Sequence, residues 1–437
     1  MQNGKRNALI WLRNDLRLLD HYAFHHAAKE CEGVVAYYSL DPNHFTETPW
    51  DFKKTGPFRS QFLIETLHQL SSDLAKKNIS LIVETQAPEK GISHWVEQLH
   101  ITDLYYQEEW TREEEVTAQA VRNELSPTLK IHNYCDQFLF HPDDLPMEIE
   151  NLPEVFTVFR KACEKQSKVR PSFPEISAFP KENYLPQEFT IPAITDLGFS
   201  PIAQPPHTAF PFKGGSRAGQ LRMEHYFWET EKLSFYKQTR NGLLGLDYSS
   251  KFSAWLANGS LSARQIYWEI KEYEARIQKN QSTYWLNFEL IWRDYFKFIS
   301  LKHQDRIFQL GGILQKDYHW KNNPKTIQAW IDGETREPFV NANMIELQKT
   351  GWMSNRGRQN VASYFAKDLL LDWRIGAAYF ESQLMDYDVH SNYGNWMYVA
   401  GVGNDPRDRK FNIRMQAERY DEGGKFQRLW NQQTLFE

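Results

Sequence analysis

Cysteine is scarce in this 437-residue chain, which has only three, at positions 31, 135 and 163. So few, so scattered, exclude a disulfide framework and fit a reducing compartment. No run of eighteen apolar residues occurs, which excludes an ordinary membrane-spanning helix. The start, Met1 to Ala8, is short and polar, so no signal or transit peptide is expected and the location read from it is cytoplasmic. No G-x-G-x-x-G follows the first predicted strand, so the usual dinucleotide fingerprint is missing. HExxH is missing too. His21 and His25 have ligand spacing but no third partner, so no metal site is expected. Internal repeats and low-complexity tracts are also lacking.

Aromatic side chains, by contrast, are plentiful: 15 Trp, 21 Tyr and 28 Phe. Charge is uneven. Residues 1–150 carry 14 Lys and Arg against 24 Asp and Glu, while the remainder carries 37 against 32. A pI near 6.3 excludes a wholesale polyanion binder but leaves room for a basic patch in the later half.

The first 140 residues alternate strand-like and helix-like segments. Strands are predicted at 8–13, 34–40, 80–84, 104–107 and 130–134. Between them run amphipathic stretches such as "FRSQFLIETLHQLSSDLAKK", where Phe62, Leu63, Leu67, Leu70 and Leu74 keep a 3.6-residue period. That order predicts an α/β domain, an open parallel Rossmann-like sheet, over residues 1–140. Residues 141–206 are Pro-rich with few periodic segments and read as a long wrapped connector. Residues 207–437 are helical almost throughout, an all-α domain.

Several constellations there could carry chemistry. Ser249, Ser250, Lys251 and Ser253 precede an apolar helical run, where hydroxyls, N–H groups and an ammonium suit a phosphate. The same serines could simply cap the helix. Glu289 and Arg293 lie at i, i+4 beside Trp292, the spacing of a helix-stabilising ion pair. Asn355, Arg356, Arg358 and Asn360 cluster in "GWMSNRGRQN", which reads either as a solvated basic face or as a partner for nearby acids. Those acids stand in "DYDVHSNYGNWMYVAGVGND", residues 386–405, which is too polar for a simple turn and holds a central Trp. Trp320, Trp330, Trp352, Trp373 and Trp396 are core residues on ordinary grounds, or a stripe that stacks bases or passes electrons.

The stretches "LIWLRNDLRLLDHYA", "TRNGLLGLDYSSKFSAWLANGSLS", "FELIWRDYF", "GWMSNRGRQNVASYFAKDLLLDWR" and "DYDVHSNYGNWMYVAGVGNDPR" together resemble the photolyase/cryptochrome family, most closely its DASH cryptochrome branch. The resemblance runs over nearly the whole chain, with the motifs in family order. It implies an α/β antenna domain followed by a helical domain holding FAD folded into a U. Matched motif by motif, the flavin would meet Tyr236, Arg240, Ser249, Ser250, Lys251, Phe252, Ser253, Glu289, Arg293 and Asn355. Arg358 and Asp386 match a salt-bridged pair beside the isoalloxazine, and Asp388 a second acid touching it. Asn392 falls near the flavin N5, where an Asn is similar to enzymes that keep an anionic reduced flavin.

Trp396, Trp373 and Trp320 match the family's electron-transfer chain, proximal to distal. Glu289 matches the acid that hydrogen-bonds a cyclobutane pyrimidine dimer, Trp292 an aromatic wall of the dimer pocket, and Asn355 another lining residue. The implied activity is that of a deoxyribodipyrimidine photo-lyase: FAD-dependent, blue-light-driven splitting of dimers in a flipped-out lesion. A second activity open to this family is a blue-light receptor that regulates without repair; a third, a (6-4) photoproduct lyase, would want a pair of histidines in the lesion pocket, and no motif-matched pair stands there. Retained Glu289 and Trp292 favour repair, and the absence of a long C-terminal tail weakens the receptor expectation.

Departures refine the expectation. Tyr398 stands where duplex-repairing photolyases have a second pocket Trp, and Gln359 where they often have Met. Base–aromatic stacking is worth about 1–3 kcal/mol per base, and flipping a base from a duplex costs a few kcal/mol. A smaller platform therefore predicts preference for single-stranded or locally unpaired DNA, bound by a monomer. His21 follows Asp20 where the family commonly has Asn, which bears on the antenna chromophore, expected to be methenyltetrahydrofolate. His390 replaces a small residue or Cys.

Overall fold

In a computed structural model describing residues 6–405 and 407–431, five strands form one parallel sheet in the order β3-β2-β1-β4-β5. They are β1 (Asn7–Trp11), β2 (Gly33–Ser39), β3 (Leu81–Glu84), β4 (Asp103–Gln107) and β5 (Lys130–Tyr134). All five predicted strands form, with bounds within one residue or two.

Side chains alternate across the sheet as a pleated strand requires. Ala8, Ile10, Val34, Ala36, Leu81 and Val83 face one layer, packed on Phe24, Leu67, Leu70 and Leu74 of the helices Tyr22–Glu30 and Pro57–Ala75. Leu9, Trp11, Val35, Ile82, Leu104 and Tyr106 face the other, packed on Ile92, Trp95, Ala118 and Val121 of the helices Pro88–Gln98 and Arg112–Glu124. Both faces are covered, which is why β1, β2 and β3 read as largely apolar runs. Strand order reverses between β1 and β4, and ligands of such sheets bind beyond the C-terminal strand ends at that point.

The connecting segment contains one helix that its composition hid, Phe156–Gln166. Phe156, Phe159 and Cys163 join the core of the helical part. Further on the segment returns to the sheet: Asn183 exchanges hydrogen bonds with the Val34 backbone (2.8 and 2.9 Å), and Leu185 donates to Ser80 Oγ (2.9 Å). A buried ionic cluster ties the two parts together. Asp20 accepts from Arg264 (2.7 and 3.1 Å), and Arg264 also pairs with Asp136 (2.6 Å).

From Ser216 onward the regular elements among the described residues are helices, joined by loops and by one isolated backbone bridge, Lys321–Leu371. The helix Gln281–His303 runs through the centre, and Val389–Ala400 packs against both it and Trp373–Gln383. One close approach fixes this packing. A Cβ on Gly376 would lie 2.2 Å from the Trp396 ring, so only glycine lets the Trp396 helix seat there. Among the described residues no helix is long and apolar enough to cross a membrane.

Candidate functional site

A cavity of about 260 Å³ opens in the helical domain. It gathers residues from five separate segments: Tyr236 and Arg240; the loop Ser249–Ser253; Glu289 and Arg293; Asn355 and Arg358; Asp386 and Asp388. These are the flavin-facing candidates of the sequence apart from Asn392.

The loop is shaped from behind. Buried Arg222 donates to the carbonyls of Leu246 (3.3 Å), Ser249 (3.0 Å) and Ser250 (3.1 Å), and pairs with Asp247 (2.6 Å). In a planar trans peptide the N–H points opposite to its carbonyl, so engaged carbonyls turn the donors away from Arg222. The following helix, Ser253–Ala257, has Phe252 at its N-cap, a residue with no capping group, so the serines are not spent there. Lys251 sits in the left-handed region (φ 66°), at a cost of about 1 kcal/mol for a non-glycine residue.

The Lys251 side chain is buried, and its Nζ has no hydrogen-bond partner. It lies over Tyr248 (3.2 Å) and Trp352 (4.8 Å). Burial pushes its pKa well below the usual lysine value despite the facing Glu346. Burial in turn raises the Glu346 carboxyl to about 8, with Lys251 and Arg358 opposing. An unpartnered buried amine facing a cavity fits an anionic group such as a pyrophosphate.

At the opposite wall, Arg358 makes a forked contact with Asp386, 2.9 Å to each carboxylate oxygen. Asp388 caps the helix Val389–Ala400 through the Ser391 N–H (2.8 Å) and pairs with Lys297 (3.1 Å). Burial opposes its charge, yet Lys297, His390 and Arg293 hold the carboxyl below the ordinary aspartate range. Glu289 pairs with Arg240, another lining residue, and not with Arg293. Arg293 instead donates to the carbonyls of Gln137 (2.6 Å) and Leu256 (3.3 Å).

The other candidates stand outside this lining. Asn392, buried one turn beyond Asp388, donates to the Ala377 carbonyl (2.9 Å). Trp292 stacks on Phe156 (3.6 Å, 6°) and meets Tyr398 at a right angle (6.1 Å, 89°), forming an aromatic corner. Gln359 accepts from Arg356 (2.9 Å), which also donates to Asn241 (2.9 Å) and lies over Tyr420 (4.4 Å).

Trp396 is buried against the Trp373 helix at Gly376, three residues on from Trp373. Trp373 Nε1 donates to the Leu310 carbonyl (3.0 Å). Lys321, next to Trp320, bridges to Leu371, two residues before Trp373. Buried Trp330 also faces Trp396 (6.3 Å).

A second cavity, about 530 Å³, lies between the domains beyond the ends of β1, β2 and β4, at the reversal of strand order. Asn14, Tyr38 and Glu109 line it from the sheet side; Lys297, Asp388 and His390 line it from the helical side. Half-buried Arg59, which donates to Thr55 Oγ1 (2.7 Å) while its Nε has no partner, also faces it, over the Tyr387 ring (4.6 Å). Sequence motifs missed this cavity because no single segment supplies it, and they missed Arg222 and Glu346 because each works from behind a lining residue. Metal-like clusters of His, Cys, Asp and Glu do not occur among the described residues; His21 faces Asp15 (3.2 Å).

Comparison with known proteins agrees with this geometry. A model of the FAD binding domain of DNA photolyase matches residues 285–434, and one of DNA photolyase matches residues 8–180. Cryptochrome DASH of Xenopus laevis is 48% identical over 97% of this chain and 82% of its own length. Cryptochrome DASH of Gloeobacter violaceus is 46% identical over 97% of this chain and 85% of its own. The crystal structure of a Synechocystis cryptochrome superposes with a TM-score of 0.94 at 44% identity, covering 98% of this chain and 89% of that one. An archaeal photolyase from Sulfolobus tokodaii, described with two FAD molecules and a light-harvesting cofactor, superposes at 0.78 with 26% identity, covering 97% of this chain and 90% of that one. An α/β sheet domain, a helical FAD-binding domain and relatives of this identity over this length together make the chain a photolyase-like flavoprotein that belongs to the photolyase/cryptochrome family.

Proposed function

We propose that the protein repairs cyclobutane pyrimidine dimers under blue light, with preference for single-stranded DNA. The observation that carries this reading is Glu289, a carboxylate held by Arg240 in the lining of the flavin cavity, three residues before Trp292 of the Trp292–Tyr398 corner on the same helix. An acid at that point can hydrogen-bond the carbonyls of a lesion, while two perpendicular rings receive its apolar faces.

The cavity residues fit FAD. Lys251 and the N–H groups of the loop 249–253 would hold the pyrophosphate, and the Arg358–Asp386 and Asp388–Lys297 pairs would flank the ring system. Bound there, FAD supplies light absorption and one-electron chemistry. The protein's work is to seat it, orient it, keep water out and hold the lesion against it. Trp396, Trp373 and Trp320 would carry electrons inward from the surface, the first two on helices that meet at Gly376 and the third in a loop held by the Lys321–Leu371 backbone bridge.

The interdomain cavity is the site we assign to an antenna chromophore. Its position at the strand-order reversal and its buried Glu109 suit a flat heterocycle with adjacent donors, and Lys54, Arg112 and Arg374, paired with Glu113, Asp305 and Asp372, also line it and could turn to an anionic tail. That pattern favours methenyltetrahydrofolate. We also assign residues 1–140, 141–206 and 207–437 to the antenna domain, connector and catalytic domain.

The test is illumination of the reduced protein with a dimer-containing oligonucleotide. Light-dependent loss of dimers supports repair. No loss from either strand form would favour a blue-light receptor.

A further inference from the structure

His390 closes the inner end of the interdomain cavity, and its surroundings give its two nitrogens different tasks. Nδ1 shares a hydrogen bond with Ser300 Oγ (2.6 Å), and Ser300 also accepts from Trp110 Nε1 (2.8 Å). The Trp110 ring covers the imidazole face (4.8 Å, 25°). The ring is therefore fixed in place by one residue from each domain. Nε2 is buried and has no hydrogen-bond partner, and His390 lines the cavity. A buried polar nitrogen left so is costly until a ligand group satisfies it.

The charged groups around the ring are Glu109 from the sheet domain, Lys297 from the long helix, and Asp388 on its own segment. Burial and Lys297 hold the imidazole below its ordinary pKa, so it stays neutral and offers one hydrogen-bonding site through Nε2. Glu109, next to it on the lining, is ionised: burial opposes this, but His390 and Lys297 lower its pKa.

We propose that His390 is a specificity-determining residue of the interdomain cavity, its Nε2 reading the edge of a bound planar heterocycle beside the Glu109 carboxylate. This rests on the antenna assignment for that cavity. It goes beyond it in naming the atom that chooses the ligand, and it gives a task to a residue that departs from the family pattern.

Two substitutions separate reading from scaffolding. In H390N the amide occupies the Nδ1 position, keeping Ser300 but removing the group that faces the cavity. In H390Q the amide reaches the Nε2 position and gives up Ser300. FAD-loaded wild type and both variants would be titrated with methenyltetrahydrofolate, following its absorbance and fluorescence, with FAD retention and thermal midpoint as controls. The proposal predicts about tenfold weaker folate binding in H390N, the worth of one buried hydrogen bond, and near-wild-type binding in H390Q. Wild-type binding in H390N, or equal loss in H390Q, would overturn it while leaving the antenna cavity standing. Absence of saturable folate binding in the wild type would instead remove the antenna assignment and this proposal with it.

Discussion

Replacing Lys251 with Met should make the flavin-free protein more stable and the flavin-bound protein weaker. The side chain is buried, its Nζ has no partner, and burial has already pushed it toward the neutral form. The further burial shifts the amine toward neutrality, the less it gains from the Tyr248 and Trp352 faces beside it. Met has similar length and no polar atom, so the substitution removes an unsatisfied group worth about 1–3 kcal/mol. The φ of 66° strains either residue alike.

With FAD bound the sign reverses. A phosphate beside the amine favours its protonated form, and charge-assisted hydrogen bonds contribute about 1.5–3 kcal/mol, or roughly 10- to 150-fold in Kd. Calorimetric titration of flavin-free protein with FAD measures the loss, and thermal unfolding of the flavin-free forms measures the gain. Titration in buffers of different ionisation heat adds a third reading, since wild type should take up a proton that K251M does not. Binding within twofold of wild type, or a flavin-free variant that melts earlier, would refute the reasoning.

Other expectations follow from the same geometry. Glu346 holds its proton to about 8 when folded, against an ordinary 4.5. The folded flavin-free state thus keeps a proton that the unfolded chain releases, and stability should fall as pH rises from about 4.5 to 8. E346Q should flatten that slope in thermal-melt profiles, and an unchanged slope would locate the titration elsewhere. E289Q should slow dimer splitting at least tenfold while FAD binding stays within twofold; equal repair rates would remove Glu289 from the lesion contacts. W373F should slow photoreduction of oxidised FAD by external thiol without affecting repair by protein reduced beforehand, as followed by flavin absorbance. Y398W should narrow the gap between single-stranded and duplex substrates, because a larger ring recovers part of the few kcal/mol that base flipping costs. An unchanged ratio would mean that Tyr398 does not set it.

Much of the fold was legible because the strands β1, β2 and β3 are short, largely apolar runs between amphipathic helices, a pattern that burial on both faces imposes; β5, with Lys130, His132 and Asn133, is a mostly exposed edge strand. The helix Phe156–Gln166 was not, since Pro-rich flanks and a short period conceal three buried side chains among eleven residues. Within the site, the acids and arginines stood out as motifs, and the structure brings Ser249–Ser253, Glu289, Arg358, Asp386 and Asp388 to one cavity. Their pairing was less legible. The i, i+4 spacing of Glu289 and Arg293 suggested one ion pair, yet Arg240 reaches Glu289 from a short helix 49 residues earlier. Long-range partners of this kind carry no local signature. The same holds for Arg222, which acts through backbone carbonyls, and for the interdomain cavity, whose lining comes from both halves of the chain.

The most direct measurement compares, in one illumination series, the reduced protein's rate of dimer loss from a single-stranded oligonucleotide with that from its duplex. The account predicts light-dependent repair that is at least tenfold faster on the single strand. Equal rates on the two substrates, or no loss from either, would contradict it.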